Sequence, residues 1–329
     1  VDTPDGGRRL SAAPPEATPL VAVLTVTTNA AAHLPAYLDA LKRVTYPSLE
    51  VWIVDNASQD GTPSLVPGVL PAARVLRNER NLGFTGACNR ALEQIVASDV
   101  RYVLFLNDDT EVTPGFLEPL VALADDRTMV APRTYLAGQP GYMDDAAGAF
   151  DWLRGTWRHR VLGRLERPEE RRPHPVETAN LSCLLVPVPL LRRTGLLDDN
   201  FFVYYDDTDF CRRAREAGGR LFVEPRSVVF HRKGATLGGQ LSPFGCYYLT
   251  RNRPYLIRKH TKSRLRYAVF LAYFLATRSV RAGLWAARGR FDLVHATALG
   301  LADAARGRMG AGSGLRWRTA GFPGSVSRE

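Results

Sequence analysis

Apolar and β-branched residues run almost without interruption from Leu20 to Thr27 (LVAVLTVT), the pattern of a strand buried on both faces. Between Ala31 and Val44, Leu34, Leu38 and Leu41 recur at helical spacing. A second strand is predicted at Leu49–Val54, ending at Asp55-Asn56, and a third at Arg74–Leu76, before a helix over Gly83–Ala97. Arg101–Leu106 (RYVLFL) reads as another strand that stops at Asn107-Asp108-Asp109. Strands alternating with helices up to residue 131 predict an α/β fold with a mostly parallel central sheet. Ligands of such sheets bind beyond the carboxyl ends of the strands. The polar clusters Thr28-Asn29, Asp55-Asn56 and Asn107-Asp108-Asp109 all fall there.

Residues 133–178 break the pattern with glycines, prolines, Trp152 and Trp157, and read as a long variable excursion over the crevice. Regular structure returns at Asn180–Pro187, with a helix near Pro189–Thr194, another at Asp206–Ala217, and short strands at Arg220–Val223 and Ser227–His231. Beyond Pro243 the chain is predicted helical to about Arg308, with breaks at His260–Ser263 and Gly289. Tyr267–Ala276 is strongly apolar but far short of the ~20 residues of a bilayer span, which fits a core helix or one lying in a membrane plane. The organisation expected is a disordered leader (1–19), an α/β domain (20–242), a basic helical extension (243–310) and a flexible tail (311–329).

Charge sharpens that division. From Arg251 onward 16 Lys and Arg face 3 Asp and Glu, a net of +13, which leaves −3 for residues 1–250 of a chain at +10 overall. Nucleic acid, an anionic membrane surface and a solvated face all suit such a tail, although no helix-turn-helix, zinc-finger or RNP pattern accompanies it. Four scattered cysteines lack CxxC spacing, so neither a zinc site nor a disulfide framework is suggested and a cytoplasmic setting is simplest.

No GxGxxG follows the first strand and no GxxxxGK[ST] occurs, so dinucleotide and P-loop readings lose weight. Asn107-Asp108-Asp109 offers hard oxygens for Mg²⁺ or Mn²⁺ bridging a diphosphate, or forms a polar turn. Asp206-Asp207-Thr208-Asp209 opens a helix, where acids favour the dipole. Three acids in four residues exceed that need, and beside Phe201, Phe202, Tyr204 and Tyr205 one could act as a general base. His231 ends a strand and reads as a structural histidine or a metal ligand, and Arg232-Lys233 as diphosphate contacts or a solvated pair. Gly83 and Gly86 in NERNLGFTGACN allow close backbone approach to a ligand at a helix start, or simply form a turn.

In this order, VTTN (Val26–Asn29), VWIVDNASQDGT (Val51–Thr62), NERNLGFTGACNRAL (Asn78–Leu92), FLNDDTEVTPGFL (Phe105–Leu117), GLLDDNFFVYYDDTDFCRRAREAG (Gly195–Gly218), VVFHRKGAT (Val228–Thr236) and YYLTRNR (Tyr247–Arg253) resemble the family 2 glycosyltransferases of GT-A fold, bacterial rhamnosyltransferase-like members in particular. The resemblance implies an inverting, metal-dependent enzyme moving a sugar, rhamnose from dTDP-rhamnose or a sugar from UDP, onto a saccharide, lipid-linked or small-molecule acceptor. It implies that Thr28, Asn29, Asp55, Asn81, Gly83, Asn89, Asn107 and Asp108 line the nucleotide-sugar. Asp109, with His231 and Asn107, would hold Mg²⁺ or Mn²⁺; Asn107 departs from the family's usual aspartate. Asp207 would be the catalytic base, with Asp206 supporting it or touching the acceptor. Trp152, Trp157 and Asp151 are candidates to stack on or bind an acceptor sugar, and core packing explains the tryptophans equally well. Peripheral contact with the inner membrane face through the basic helices, and oligomerisation, are compatible with this reading. The rivals are a nucleotidyltransferase, which lacks its phosphate loop here, a basic nucleic-acid-binding protein, which leaves the acids without purpose, and an inactive relative.

Overall fold

The computed structural model describes residues 18–138, 141–144, 147–158, 165–231 and 241–312. The leader, the tail and Arg232-Lys233-Gly234 therefore lie outside the described residues, apart from a few at the leader and tail edges. In chain order the elements are β1 (Val21–Thr27), α1 (Leu34–Lys42), β2 (Leu49–Asp55), α2 (Thr62–Val69), β3 (Arg74–Arg77), α3 (Gly83–Ile95), β4 (Tyr102–Leu106), β5 (Thr110–Val112) and α4 (Leu117–Leu123). There follow β6 (Thr128–Leu136), β7 (Ala147–Asp151), β8 (Thr156–Arg158), β9 (His174–Pro175), β10 (Thr178–Ala179), β11 (Cys183–Pro187) and α5 (Val188–Thr194). The chain continues through α6 (Asp206–Glu216), β12 (Arg220–His231), α7 (Pro243–His260), α8 (Arg264–Ala287) and α9 (Phe291–Ala305).

The main sheet has the order β3-β2-β1-β4-β11-β6-β12-β5, with β9 paired to β12. β3, β2, β1 and β4 are parallel, β11 runs against both β4 and β6, and β6 and β12 are parallel again. Burial on both faces explains the uninterrupted apolar run at β1. Ala22 and Leu24 join one core layer with Leu92, Phe105 and Phe210, while Val21 and Val23 join the opposite layer with Leu38, Leu104 and Leu120. β4 and β11 divide their side chains between the same two layers.

Two expectations need correction. The segment 133–178 is not a separate excursion throughout, because β6 carries the central sheet to Leu136 and β10-β7-β8 form a second, three-stranded sheet. The two short strands expected before His231 are one 12-residue strand, β12, whose register shifts between Glu224 and Val228. Pro225 sits in that irregularity, the place in a sheet where a missing N–H is tolerated. Pro114, a residue type that commonly opens a helix, is followed by one only from Leu117, after the short strand β5.

The C-terminal helices break where the sequence predicts, at Thr261–Ser263 and around Gly289. α9 packs closely on α7: a Cβ on Gly300 would lie 2.7 Å from the Tyr247 carbonyl oxygen. The four cysteines are free and buried. Replacing Gly300 by alanine is expected to force α9 off α7 and to cost about 1–3 kcal/mol, the usual penalty of overpacking, measured by urea denaturation.

Candidate active site

The loops after β1 and β2 are laced together. Asn29, in the left-handed region at φ 50°, gives its N–H to Ser58 Oγ (2.8 Å) and takes one from Gln59 on Oδ1 (2.8 Å). Ala30 and Ala31 donate their N–H groups to Thr62 Oγ1 and Asp60 Oδ2. Thr28 lies within this stretch, half-buried. At the end of β2 Asp55 is fully buried, and neither carboxylate oxygen has a hydrogen-bond partner; Arg77 Nε stands 3.5 Å away. Buried acceptors are normally satisfied, so such a carboxylate at a strand end is suited to a ligand's donors.

Beside it an amide network fixes the next loop. Asn56 Nδ2 donates to Asn81 Oδ1 (2.9 Å), and Asn56 Oδ1 accepts from Asn78 Nδ2 and the Leu82 N–H. Asn81 Oδ1 also takes the Gly83 N–H (2.8 Å). Gly83 and Asn89 are committed to bracing. At Gly83 (φ +73°) a Cβ would lie 2.5 Å from the Phe202 carbonyl oxygen, and that oxygen accepts the Phe84 N–H at 2.7 Å. Asn89 donates to the Leu197 carbonyl and Asp199 and accepts the Leu197 N–H. The Asn-rich loop is thereby docked onto the loop that leads into α6.

After β4 the backbone of Asn107 is pinned between the Ser182 carbonyl and Thr110. Asp108 is buried with Oδ2 3.5 Å from His33 Nε2. Asp109 Oδ1, buried and without a hydrogen-bond partner, lies 3.3 Å from His231 Nε2, while His231 Nδ1 bonds Asp144 Oδ2 at 2.8 Å. Burial opposes protonation of this imidazole, but the carboxylates of Asp109 and Asp144 on either side outweigh it and push the pKa up to about 9. Asp144 thus fixes the ring so that Nε2 faces Asp109, the outer-shell support typical of metal-ligating histidines.

Among the described residues no three His, Cys, Asp or Glu side chains form a ready-made cage. That suits Mg²⁺ or Mn²⁺ held by one or two protein ligands and a substrate's phosphates. The orphaned Asp109 oxygen and the oriented His231 nitrogen fit such an ion, which the imidazole would bind in its deprotonated form. Asp144 was not singled out in the sequence, because it lies in a segment without periodicity and meets His231 only across 87 residues.

The four-residue acidic cluster divides into two kinds of carboxylate. Asp209 is fully buried; its Oδ1 meets His260 Nε2 and Lys259 Nζ (both 2.8 Å) and its Oδ2 meets Arg213 Nε (2.8 Å). Burial would raise its pKa, yet these three partners bring it down to about 2. It ties α6 to α7. Burial, and then the charge of Asp207, push buried Asp206 well above the carboxylate range. Burial pushes Asp207 up to about 6, against hydrogen bonds to its Oδ1 from the Thr208 N–H (2.5 Å) and Oγ1 (3.1 Å).

The approach to these acids is strained. Phe202, Tyr204 and Tyr205 all have φ between 65° and 67°, where residues with side chains are disfavoured. Asn252 Nδ2 contacts the carbonyls of Phe201, Val203 and Tyr204 at 2.7–3.1 Å, and buried Arg251 donates to Phe201 and Asn200. The sequence flagged YYLTRNR without showing this clamp. Trp152 stands half-buried near α6, 4.8 Å from the Phe150 ring and 5.3 Å from His260, with the Arg212 guanidinium 5.1 Å from its own ring. Trp157 packs on Phe150, and Asp151 accepts the Leu153 and Arg154 N–H groups, so the three acceptor candidates all take part in packing or turn formation.

A mostly parallel α/β sheet, with β11 running against its neighbours and clusters of carboxylates beyond its strand ends, has the arrangement of a nucleotide-sugar transferase fold. Residues 22–181 match the model of Glycosyl transferase family 2. The chain is a glycosyltransferase of GT-A fold carrying a family 2 domain. It is 28% identical over 245 residues to the N-acetylglucosaminyl-diphospho-decaprenol L-rhamnosyltransferase of Mycobacterium tuberculosis, an alignment covering 67% of this chain and 78% of that one. Its fold resembles that of the mannosyltransferase PcManGT from Pyrobaculum calidifontis in complex with GDP-Man and Mn²⁺ (TM-score 0.53, 19% identity, 89% of this chain and 76% of that one). It also resembles GalNAc-T7 with UDP, GalNAc and Mn²⁺ (TM-score 0.53, 16% identity, 72% and 48%).

Two substitutions test this geometry. Asp144→Asn is expected to weaken Mn²⁺ binding about tenfold or more by releasing the His231 ring, measured by calorimetry in the presence of a nucleoside diphosphate. Asn252→Ala strips polar contacts from three buried carbonyls and should cost about 1–3 kcal/mol in denaturant unfolding, with activity falling further than stability requires.

Proposed function

We propose that the chain transfers one sugar from a nucleotide-sugar, dTDP-rhamnose before UDP-sugars, to an acceptor hydroxyl with inversion at the anomeric carbon. The observation that carries this reading is Asp207. It opens α6 on a loop bonded to the donor-side wall, its pKa is pushed up to about 6, and only Oδ1 is engaged by Thr208. A base poised just below neutrality is ionised in the cell and still takes a proton effectively. As the acceptor oxygen attacks the anomeric carbon, Asp207 receives its proton, and the bond to the nucleoside diphosphate breaks on the opposite face.

Asp206, kept protonated by burial and by its neighbour, is a positioning group able to donate a hydrogen bond to the acceptor. Thr28, Asn29, Asp55, Asn81 and Asp108 hold the nucleotide, and Gly83 and Asn89 brace the wall behind it. Asp109 and His231, with Asn107 alongside, would hold Mg²⁺ or Mn²⁺, which supplies charge stabilisation for the departing diphosphate. Trp152 borders the acceptor side. Similarity to an enzyme named for a diphospho-decaprenol acceptor supports a lipid-linked saccharide as acceptor.

The test is release of nucleoside diphosphate from a panel of donors with Mn²⁺, with and without EDTA. Asp207→Asn is expected to lower kcat about 10²–10⁴-fold while donor binding persists. Because the base works only when deprotonated, kcat/KM should be level above pH 6 and fall about tenfold per unit below it. Turnover of no donor, or an unchanged rate in the variant, would refute the assignment.

A further inference from the structure

Seven of the eleven exposed large apolar side chains among the described residues lie between Leu265 and Phe291. α8 turns Phe270, Phe274, Arg278 and Trp285 into the protein. Its opposite side carries Leu265 (75% exposed), Val269, Tyr273, Val280 (65%) and Leu284, which at 3.6 residues per turn fall within about 100° of arc. Ala272, Ala276 and Gly283 fill the same face, and no acidic residue occurs in the helix. The strip runs the whole of α8, about 36 Å at 1.5 Å per residue. Contiguous apolar patches of this kind mark a contact surface.

The ends of the strip identify the occupant. Exposed Lys262, Arg264 and Arg266 stand at its start and Arg281 and Arg288 near its end, none paired with a carboxylate among the described residues. A second copy of α8 laid on this face would set arginines against arginines at both ends. An anionic lipid surface would meet the apolar strip with acyl chains and the cations with phosphates. No described helix is long and apolar enough to cross a membrane, so the helix would lie on one.

We propose that α8 seats the protein in the plane of an anionic bilayer, its outer strip in the headgroup–acyl boundary and its flanking cations on lipid phosphates. The inference stands apart from the donor and acceptor assigned above. It places the catalytic loop close to lipid, because Tyr205 packs in one cluster with Phe270 and Phe274, one helix diameter of about 10 Å from the surface.

Flotation of the full chain with phosphatidylglycerol–phosphatidylcholine vesicles, against vesicles of phosphatidylcholine alone, tests it. The full chain should bind the anionic vesicles at least about tenfold better, and less well as salt is raised. The double variant Val269→Glu/Val280→Glu should lose that binding while keeping its unfolding temperature and its donor turnover in solution, since both positions are exposed. Equal flotation of parent and variant would overturn the proposal. So would a parent that binds no vesicle and forms a dimer which the variant splits, the behaviour of a contact between copies.

Discussion

The carboxamide of Asn252 contacts three carbonyls of the loop entering α6, those of Phe201, Val203 and Tyr204, and much of the site depends on that one side chain. The loop holds three left-handed residues, each costing roughly 1–3 kcal/mol and persisting only where surroundings over-determine it. Its conformation directs the Phe202 carbonyl at α3, which locks the Asn-rich wall, and presents Asp206 and Asp207 at the first turn of α6. Arg251, wholly buried, repeats the grip and reaches on to the Gly310 carbonyl. The C-terminal helices therefore help build the site from behind, and the basic residues that dominate the net charge of this part of the chain include two that act as interior struts, Arg251 and Arg253.

Within four residues the chain sets carboxylates to opposite tasks. Asp209 meets two cations and a histidine and stays ionised far into acid, while Asp206 and Asp207, with no cation among the described residues in hydrogen-bond reach, are pushed upward. Burial acts on all three in the same direction, so the difference comes from partners. Separation of neighbouring titrations by environment is how one acid comes to anchor and another to accept a proton.

The sheet was legible because strands buried on both faces leave uninterrupted apolar runs, and the acidic clusters because they end or follow such runs. What stayed hidden depends on contacts between distant residues. Asp144 finds His231 across 87 residues and Asn89 finds Leu197 across 108. No local pattern separates Asp209 from Asp207, since the partners that distinguish them sit on α7 and later in α6. β12 read as two strands because Pro225 is ordinarily a strand breaker, and only the register shift around it reconciles the residue with a continuous ladder.

The four buried thiols sit in separate parts of this architecture. Cys88 and Cys211 lie in one layer beside the sheet, Cys183 in the opposite layer, and Cys246 among the C-terminal helices. Desolvation raises the pKa of each, so little thiolate is present in the closed protein. Alkylation of any one must then wait for its layer to open, and the four positions give the chain a native set of clocks for timing how its layers come apart.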